Sequence, residues 1–395
     1  MRFSVLLPTR NRLEYLRLAI ETVRRQDYQD WEIIVSDNDS AQDIAGYVAG
    51  LHDQRIRYLR IDRFVSVTEN WNNALEASRG DYVVMLGDDD GLMPGYFTTM
   101  ERLITTHGQP DLIYTGAYLY ADPGVLPGYP DGLLDRLPLG FRSAPEPYWL
   151  EVEQARRVAR QLFDFKRKIG LNSQFSLISR PTIDTLRARG AVFQSPFPDF
   201  YTTCVLFLTA SRILIDPRPQ VIIGMSPKSY GFFLFNHQEQ GGVQHLNSLE
   251  IPDKLRSTVL PGTNSHTSWL LAMEAVWANY GSQLGLRVNY QRYRILQIEY
   301  CYAEYWHGRQ SRRELAELRA RLSVPERLVS AVAWSILAAI FKLTPPAIHR
   351  LIAWIMNRSD RVLRSSLDFI PGTSHGRYRD LLEVFEAFRS EAEAA

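Results

Sequence analysis

The chain has 395 residues, 45% hydrophobic and 23% charged, the make-up of an ordinary folded protein with room for two domains. A formal net charge of +1 excludes a bulk field that would recruit nucleic acid, so any basic surface must be local. The two cysteines, Cys204 and Cys301, lie far apart and make no metal or redox motif, which points to a reducing, cytoplasmic setting with both thiols in the core.

Apolar residues 3–7, ended by Pro8, read as a strand and are too few for a secretory signal. Leu13, Leu16, Ile20 and Val23 fall at helical spacing. A second strand over 31–36 runs into the polar turn Asp37-Asn38-Asp39-Ser40, and a helix over 41–51 leads to a third strand over 56–59. Helix 68–78, strand 82–86, helix 96–106 and strand 112–118 follow. This alternation with short connections predicts an α/β fold with a mainly parallel central sheet covered on both faces. Residues 122–147 are rich in Pro and Gly and read as an irregular excursion. Beyond it the pattern gives helix 151–168, a strand over 173–179, helices over 182–189 and 201–211, and short strands over 213–215 and 220–224. Strand signals then stop. Helical patterns over 266–280, 290–305, 312–321, 328–341, 347–357 and 378–394 make the C-terminal region α-helical, with the domain boundary expected at 245.

Chemistry-bearing residues collect where these strands end. Asp88-Asp89-Asp90 follows the strand over 82–86, the edge at which open α/β sheets place their ligands. Three carboxylates together are costly unless something positive sits among them. Hard oxygens suit Mg²⁺ or Mn²⁺, which take part of their coordination from substrate phosphates. Pro8-Thr9-Arg10-Asn11-Arg12 after the first strand offers polar side chains and backbone N–H groups to an anionic ligand, or else a plain helix cap. Asp37 ends the second strand, where it either meets a base or ribose or caps the next helix. Asn70-Trp71-Asn72-Asn73 opens the helix before the acidic triplet. Ser/His/Asp elbows, Cys-x-x-Cys sites, P-loops and G-x-G-x-x-G are all missing.

Taken in order, PTRNR, then IIVSDNDS, then NWNNALEASRGDYVVMLGDDDGLMPG resembles the donor-binding half of a family 2 glycosyltransferase with the GT-A fold. The resemblance covers about residues 1–100. It implies a nucleoside-diphosphate sugar donor, a glycan or lipid-linked acceptor, a divalent metal on the diphosphate and inversion at the anomeric carbon. By position it assigns Thr9, Arg10, Asn11, Arg12, Asp37, Asn72 and Asp88 to the donor, and Asp89 and Asp90 to the metal, with Asp89 favoured. Gly87 stands where many members carry Asp, which displaces the acidic cluster by one residue. Inverting transfer needs a carboxylate to take the acceptor's hydroxyl proton. In the family that base precedes a helix about a hundred positions after the acidic cluster, and here Ser195-Pro196-Phe197-Pro198-Asp199 supplies Asp199. The glycine-bounded aromatic stretch GFFLFNHQEQGG adds His237 as a further metal or phosphate contact.

Two apolar helices, within 328–341 and 347–356, are each too short to span a bilayer, yet Arg and Lys residues flank them and each contains a Trp. They form either a buried hairpin or one that meets the inner face of the plasma membrane peripherally. Two other functions use the same features. A nucleotidylyltransferase would carry a Gly-rich, Lys-bearing loop after strand one, and residues 8–12 contain no Gly. A catalytically silent glycan-binding protein would have lost the acidic cluster or the base candidate, and both are present.

Overall fold

Strand β1 (Phe3–Thr9) is largely apolar and buried along its whole length, as a central strand in a sheet covered on both faces must be. The computed structural model describes residues 1–394 other than 143, 168, 195, 237, 239–240, 243–250, 263, 307, 335, 337–342, 344 and 346–376. In chain order β1 is followed by α1 (Leu13–Arg24), β2 (Trp31–Asn38), α2 (Ile44–Gly50), β3 (Ile56–Ile61), α3 (Val67–Ala77), β4 (Tyr82–Met85), β5 (Gly91–Leu92), α4 (Tyr96–Thr106) and β6 (Leu112–Ala121). Then come β7 (Leu133–Leu137), β8 (Tyr148–Leu150), α5 (Val152–Phe163), β9 (Ser176–Ser179), α6 (Arg180–Arg187), α7 (Pro198–Thr209), β10 (Ile213–Met225) and α8 (Tyr230–Phe235).

The ten strands form one sheet in the order β3-β2-β1-β4-β9-β6-β10-β5, with β7 beside β6 and β8 beside β10. β1 pairs in parallel with β2 and β4, β2 with β3, and β6 with β10. β9 runs antiparallel to both β4 and β6, so those two share a direction. All the strands that carry polar residues at their C-terminal ends therefore point the same way, and the fold is α/β with a largely parallel sheet, as the strand–helix alternation predicts.

Several local expectations change. The expected strand 173–179 opens as a 3₁₀ turn, Ser173–Phe175, and only β9 is extended. Two short expected strands are one, β10, with an irregular register between Asp216 and Val221 that admits Pro217 and Pro219. The Pro/Gly-rich excursion contains β7, antiparallel to β6.

The chain forms two compact units. The first comprises Met1–Arg160, Lys168–Leu249 and Pro371–Ala395, and the second Gln161–Arg167 and Glu250–Ile370. The C-terminal helix Leu381–Ala394 thus belongs to the first unit, although its helical pattern groups it by composition with the region beyond 245. Its Leu381 and Val384 are buried with Met93, Tyr120, Leu134 and Ile222, and Phe388 stacks on Tyr118 at 4.9 Å between ring centroids. The sequence shows the helix but not which apolar surface buries it. The second unit is helical and packs Leu260, Ile298, Cys301, Tyr302, Leu315, Leu318 and Leu322 into its own core. Most of the apolar pair expected over 328–356 lies outside the described residues.

Candidate active site

The polar turn after β4 is built by its own backbone and side chains. Asp90 N–H donates to the Gly87 carbonyl at 3.1 Å. Gly87 N–H donates back to Asp90 Oδ2 at 2.8 Å. A Cβ on Gly87 would lie 2.5 Å from Asp90 Oδ2, so a larger residue here must displace that carboxylate. The absent family Asp therefore has a steric counterpart: the Asp90 carboxylate fills the space. Gly224 N–H on β10 donates to Asp90 Oδ1 at 2.8 Å and Gln174 Nε2 to Oδ2 at 2.5 Å. Asp90 is 3% exposed, and both its oxygens are used to tie the turn to β10 and to the segment before β9. Burial, with the charge of Asp89 added, raises its pKa, and the three N–H donors oppose the shift.

Asp88 and Asp89 face the loop after β1. Thr9 Oγ1 donates to Asp88 Oδ2 at 2.7 Å, and Arg12 Nη1 pairs with Asp88 Oδ1 at 2.7 Å. Arg12 Nη2 binds both Asp89 Oδ2 and the Ser226 hydroxyl. Ser226 Oγ donates in turn to Asp89 Oδ2 at 2.8 Å. The positive partner that three clustered carboxylates require is thus a residue of the chain itself. Burial alone would weaken the charge on Arg12, but Asp88 and Asp89 outweigh it and hold the guanidinium protonated. Arg12 sits at the N-cap position of α1 without capping it through its side chain. Gln42 Oε1 accepts from Leu13 N–H instead, and Asn11 Oδ1 accepts from Ala41 N–H.

Of the three carboxylates, only Asp89 keeps an oxygen, Oδ1, with no hydrogen-bond donor among the described residues. A divalent cation fits that oxygen, since such ions bind one or two carboxylates and complete their shell with water and phosphate oxygens. Among the described residues, no group of three or more His, Cys, Asp or Glu side chains is placed to hold a metal. His237 lies outside the described residues.

The other assigned residues sort by what they touch. Asp37 is fully buried; it accepts from Ser40 N–H at 3.0 Å, Tyr58 OH at 2.7 Å and Arg60 Nη1 at 3.1 Å, which closes the turn after β2. Arg10 lies over the Phe64 ring at 3.9 Å. Asn72 is taken up by backbone groups: its Nδ2 donates to the carbonyls of Thr68 and Phe193, and its Oδ1 accepts from Phe193 N–H. Asp199, in the first turn of α7, accepts from Ser173 N–H and Ser173 Oγ, each at 2.7 Å. Ser173 is the neighbour of Gln174, so one short segment touches both Asp199 and Asp90. Phe197, two residues before Asp199, meets Tyr230 at 5.1 Å between ring centroids, and Tyr230 follows Ser226 by four. These contacts bring the Asp199 segment to the side of the sheet that carries the acidic turn.

Three participants lie outside the residues assigned from the sequence. Ser226 and Gln174 carry no local signal. Asp122 does, since it follows β6 as Asp37 and Asp88 follow their strands. Burial, together with the charge of Asp89, pushes its carboxyl up to about 6, and the neighbouring Tyr15 and Tyr120 oppose the shift.

Known proteins match this part of the chain. Residues 4–138 fit the family described as Glycosyl transferase family 2. This segment is similar to that family's domain. A GalNAc(5)-diNAcBac-PP-undecaprenol beta-1,3-glucosyltransferase of Campylobacter jejuni is 38% identical over 102 residues, 25% of this chain and 33% of that protein. WfgD of Escherichia coli, a UDP-Glc:alpha-D-GlcNAc-diphosphoundecaprenol beta-1,3-glucosyltransferase, is 29% identical over 87 residues, 22% of this chain and 34% of its own. The matched stretch thus spans about a third of each of these relatives. The crystal structure of Staphylococcus aureus TarS 1–349 overlays on 86% of this chain and 89% of that one, with TM-score 0.45 and 15% identity.

Proposed function

We propose that the chain transfers a sugar from a nucleoside-diphosphate sugar to a lipid-linked glycan acceptor, with a divalent cation on the diphosphate and inversion at the anomeric carbon. The observation that carries this reading is Asp89: a carboxylate with one open oxygen beside a buried guanidinium, at the C-terminal ends of parallel strands. That arrangement offers a cation ligand and a phosphate-binding charge side by side. The names of the C. jejuni and E. coli relatives support the nucleotide-sugar donor and the undecaprenol-linked acceptor.

In this reading Thr9 and Arg12 hold the loop after β1 against the donor, and Asp37 fixes the turn that meets the base. Mn²⁺ or Mg²⁺, bound at Asp89, would neutralise charge on the leaving diphosphate. Asp199 takes the proton of the attacking acceptor hydroxyl. The two donors from Ser173 both bind its Oδ1 and hold the carboxylate in place. Asp90 and Asn72 serve as braces.

Peripheral contact with a membrane surface follows from such an acceptor. Leu328 and Val332, spaced one helical turn apart, are 67% and 63% exposed, and Val324 precedes them at 67%. No helix among the described residues is long and apolar enough to cross a membrane. Sedimentation with anionic liposomes tests this part separately.

The activity is tested with a panel of nucleotide-sugars, with and without Mn²⁺, followed by thermal shift and by transfer to an undecaprenyl-diphosphate glycan. A donor that binds only the folded state raises the melting temperature. Asp89→Ala is expected to fold, to lose Mn²⁺-dependent donor binding and to lose transfer. Full transfer by Asp89→Ala in the presence of EDTA would overturn the metal assignment.

A further inference from the structure

We infer that Arg12 is a built-in counter-cation which holds Asp89 in the free protein and releases it only when a diphosphate is present to receive the guanidinium. The inference rests on the donor-site reading above and goes beyond it by making cation binding conditional on nucleotide.

Arg12 is 7% exposed and shared among three groups: Asp88 Oδ1 at 2.7 Å, Asp89 Oδ2 and the Ser226 hydroxyl. A guanidinium has five N–H donors in a fixed fork. The Nε donor of Arg12 is buried and has no hydrogen-bond partner. The free-state arrangement therefore neutralises the carboxylates but leaves one donor unsatisfied, which is costly in a buried site. A phosphate that draws the guanidinium away from Asp89 would give that donor a partner.

Charge fixes the order of events. Asp90 cannot share the load, because both of its oxygens are taken by Gly87, Gly224 and Gln174. Asp88 is held by Thr9 as well as Arg12. Asp89 is the carboxylate with an oxygen, Oδ1, that has no donor among the described residues, and its Oδ2 is the oxygen that Arg12 and Ser226 occupy. A divalent cation approaching Asp89 while Arg12 is in place meets a like charge within the same hydrogen-bonded cluster. A diphosphate removes the conflict, since it offers Arg12 a bidentate phosphate partner and brings the negative charge that a second cation needs. Arg12 begins α1 with no side-chain cap to keep it in one rotamer, so its exchange between Asp89 and phosphate leaves the helix intact. By linkage, nucleotide must tighten cation binding by the same factor that the cation tightens nucleotide binding.

The test measures Mn²⁺ binding to the full chain by calorimetry and by the Mn²⁺ electron paramagnetic resonance signal. Titrations use Mn²⁺ alone and Mn²⁺ with UDP or GDP, corrected for the nucleotide's own metal binding. Wild type is expected to bind Mn²⁺ alone weakly and to gain affinity with nucleotide. Arg12→Gln is expected to bind Mn²⁺ alone about tenfold or more tightly than wild type, and to lose most of the nucleotide-dependent gain. Its melting temperature should rise on adding Mn²⁺ alone, whereas that of wild type should not. Arg12→Lys, which keeps the charge but not the bidentate fork, should bind Mn²⁺ alone as weakly as wild type and gain less affinity with nucleotide. Ser226→Ala loosens the same clamp without removing the guanidinium; it should shift Mn²⁺ affinity in the same direction by a smaller factor, and it serves as the readout should Arg12→Gln fail to fold. Equal affinity of wild type and the variants for Mn²⁺ alone overturns the inference while leaving metal dependence standing. Absence of Mn²⁺ binding in every arm overturns both.

Discussion

Gly224 on β10 lies so close to Asp89 that a Cβ on it would stand 1.7 Å from the Asp89 carbonyl oxygen. The same residue donates its N–H to Asp90 Oδ1 at 2.8 Å. One backbone position therefore sets how closely the acidic turn approaches β10, and through it the place of Ser226, two residues further on. The contact is with backbone, so no side-chain rotation relieves it.

Gly224→Ala is accordingly expected to destabilise the first unit by about 1–3 kcal/mol or more, as overpacking does. It should also displace Ser226 from Asp89. Thermal melting reports the first effect, and a loss of donor binding larger than the melting shift accounts for reports the second. A variant with wild-type stability and donor affinity would mean that the turn and β10 separate freely.

The architecture of residues 1–120 is legible in the sequence because its central strands β1, β2 and β4 have largely apolar cores and the helices between them have a clear period. The acidic turn is legible as a site on similar grounds: three carboxylates directly after a buried strand need a counter-charge close by. The identity of that counter-charge is not legible. Arg12 and Asp89 are 77 positions apart, and nothing local shows that a loop arginine neutralises a turn three strands away in the chain. Asn72 shows the converse failure. A cluster of asparagines at a helix start looks like ligand-binding chemistry, yet this amide satisfies both backbone groups of Phe193. Gln174 and Ser226 are ordinary polar residues whose roles exist only once β9 and β10 join the sheet.

Asp199→Asn is expected to lower kcat by at least about 10²-fold with donor affinity nearly unchanged, the result of losing a general base. The amide can still accept from Ser173, so the fold should survive. Steady-state transfer kinetics together with a nucleotide-sugar thermal shift separate the two quantities. A kcat close to wild type would assign proton removal to another group.

His266, in the second unit, gives that unit an acid limit. Burial depresses its pKa to about 4, and a hydrogen bond with Gln297 at 3.3 Å only partly opposes this. The folded state therefore holds the ring neutral, while the unfolded chain takes a proton near 6.5. Stability from this residue is fully present above pH ~6.5 and declines as pH falls towards about 4, with a slope of at most about 1.4 kcal/mol per pH unit. His266→Gln should flatten that slope between about pH 6.5 and 4.5 in melts followed by circular dichroism. A slope identical in wild type and variant would place the acid sensitivity on other groups.

The C-terminal helix yields the last prediction, because a cut at the compositional boundary removes part of the first unit. Leu381 packs against Gly91 of β5, where a Cβ would meet its methyl carbons at 3.2 Å. Tyr120 OH donates to the Tyr378 carbonyl at 3.2 Å, and Arg25 pairs with Glu386. A chain ending at residue 245 loses all of these partners and exposes Tyr118, Tyr120, Leu134 and Ile222. It is expected to melt well below the full chain and to aggregate. In the full chain Leu381→Ala alone should cost about 2–5 kcal/mol, the usual range for emptying a buried leucine site. Because β5 follows directly on the acidic turn, that variant should also weaken nucleotide binding, by less than Gly224→Ala does. Equal melting temperatures for Leu381→Ala and wild type would show that the helix is a dispensable appendage, and the boundary at 245 would then stand as a true domain limit.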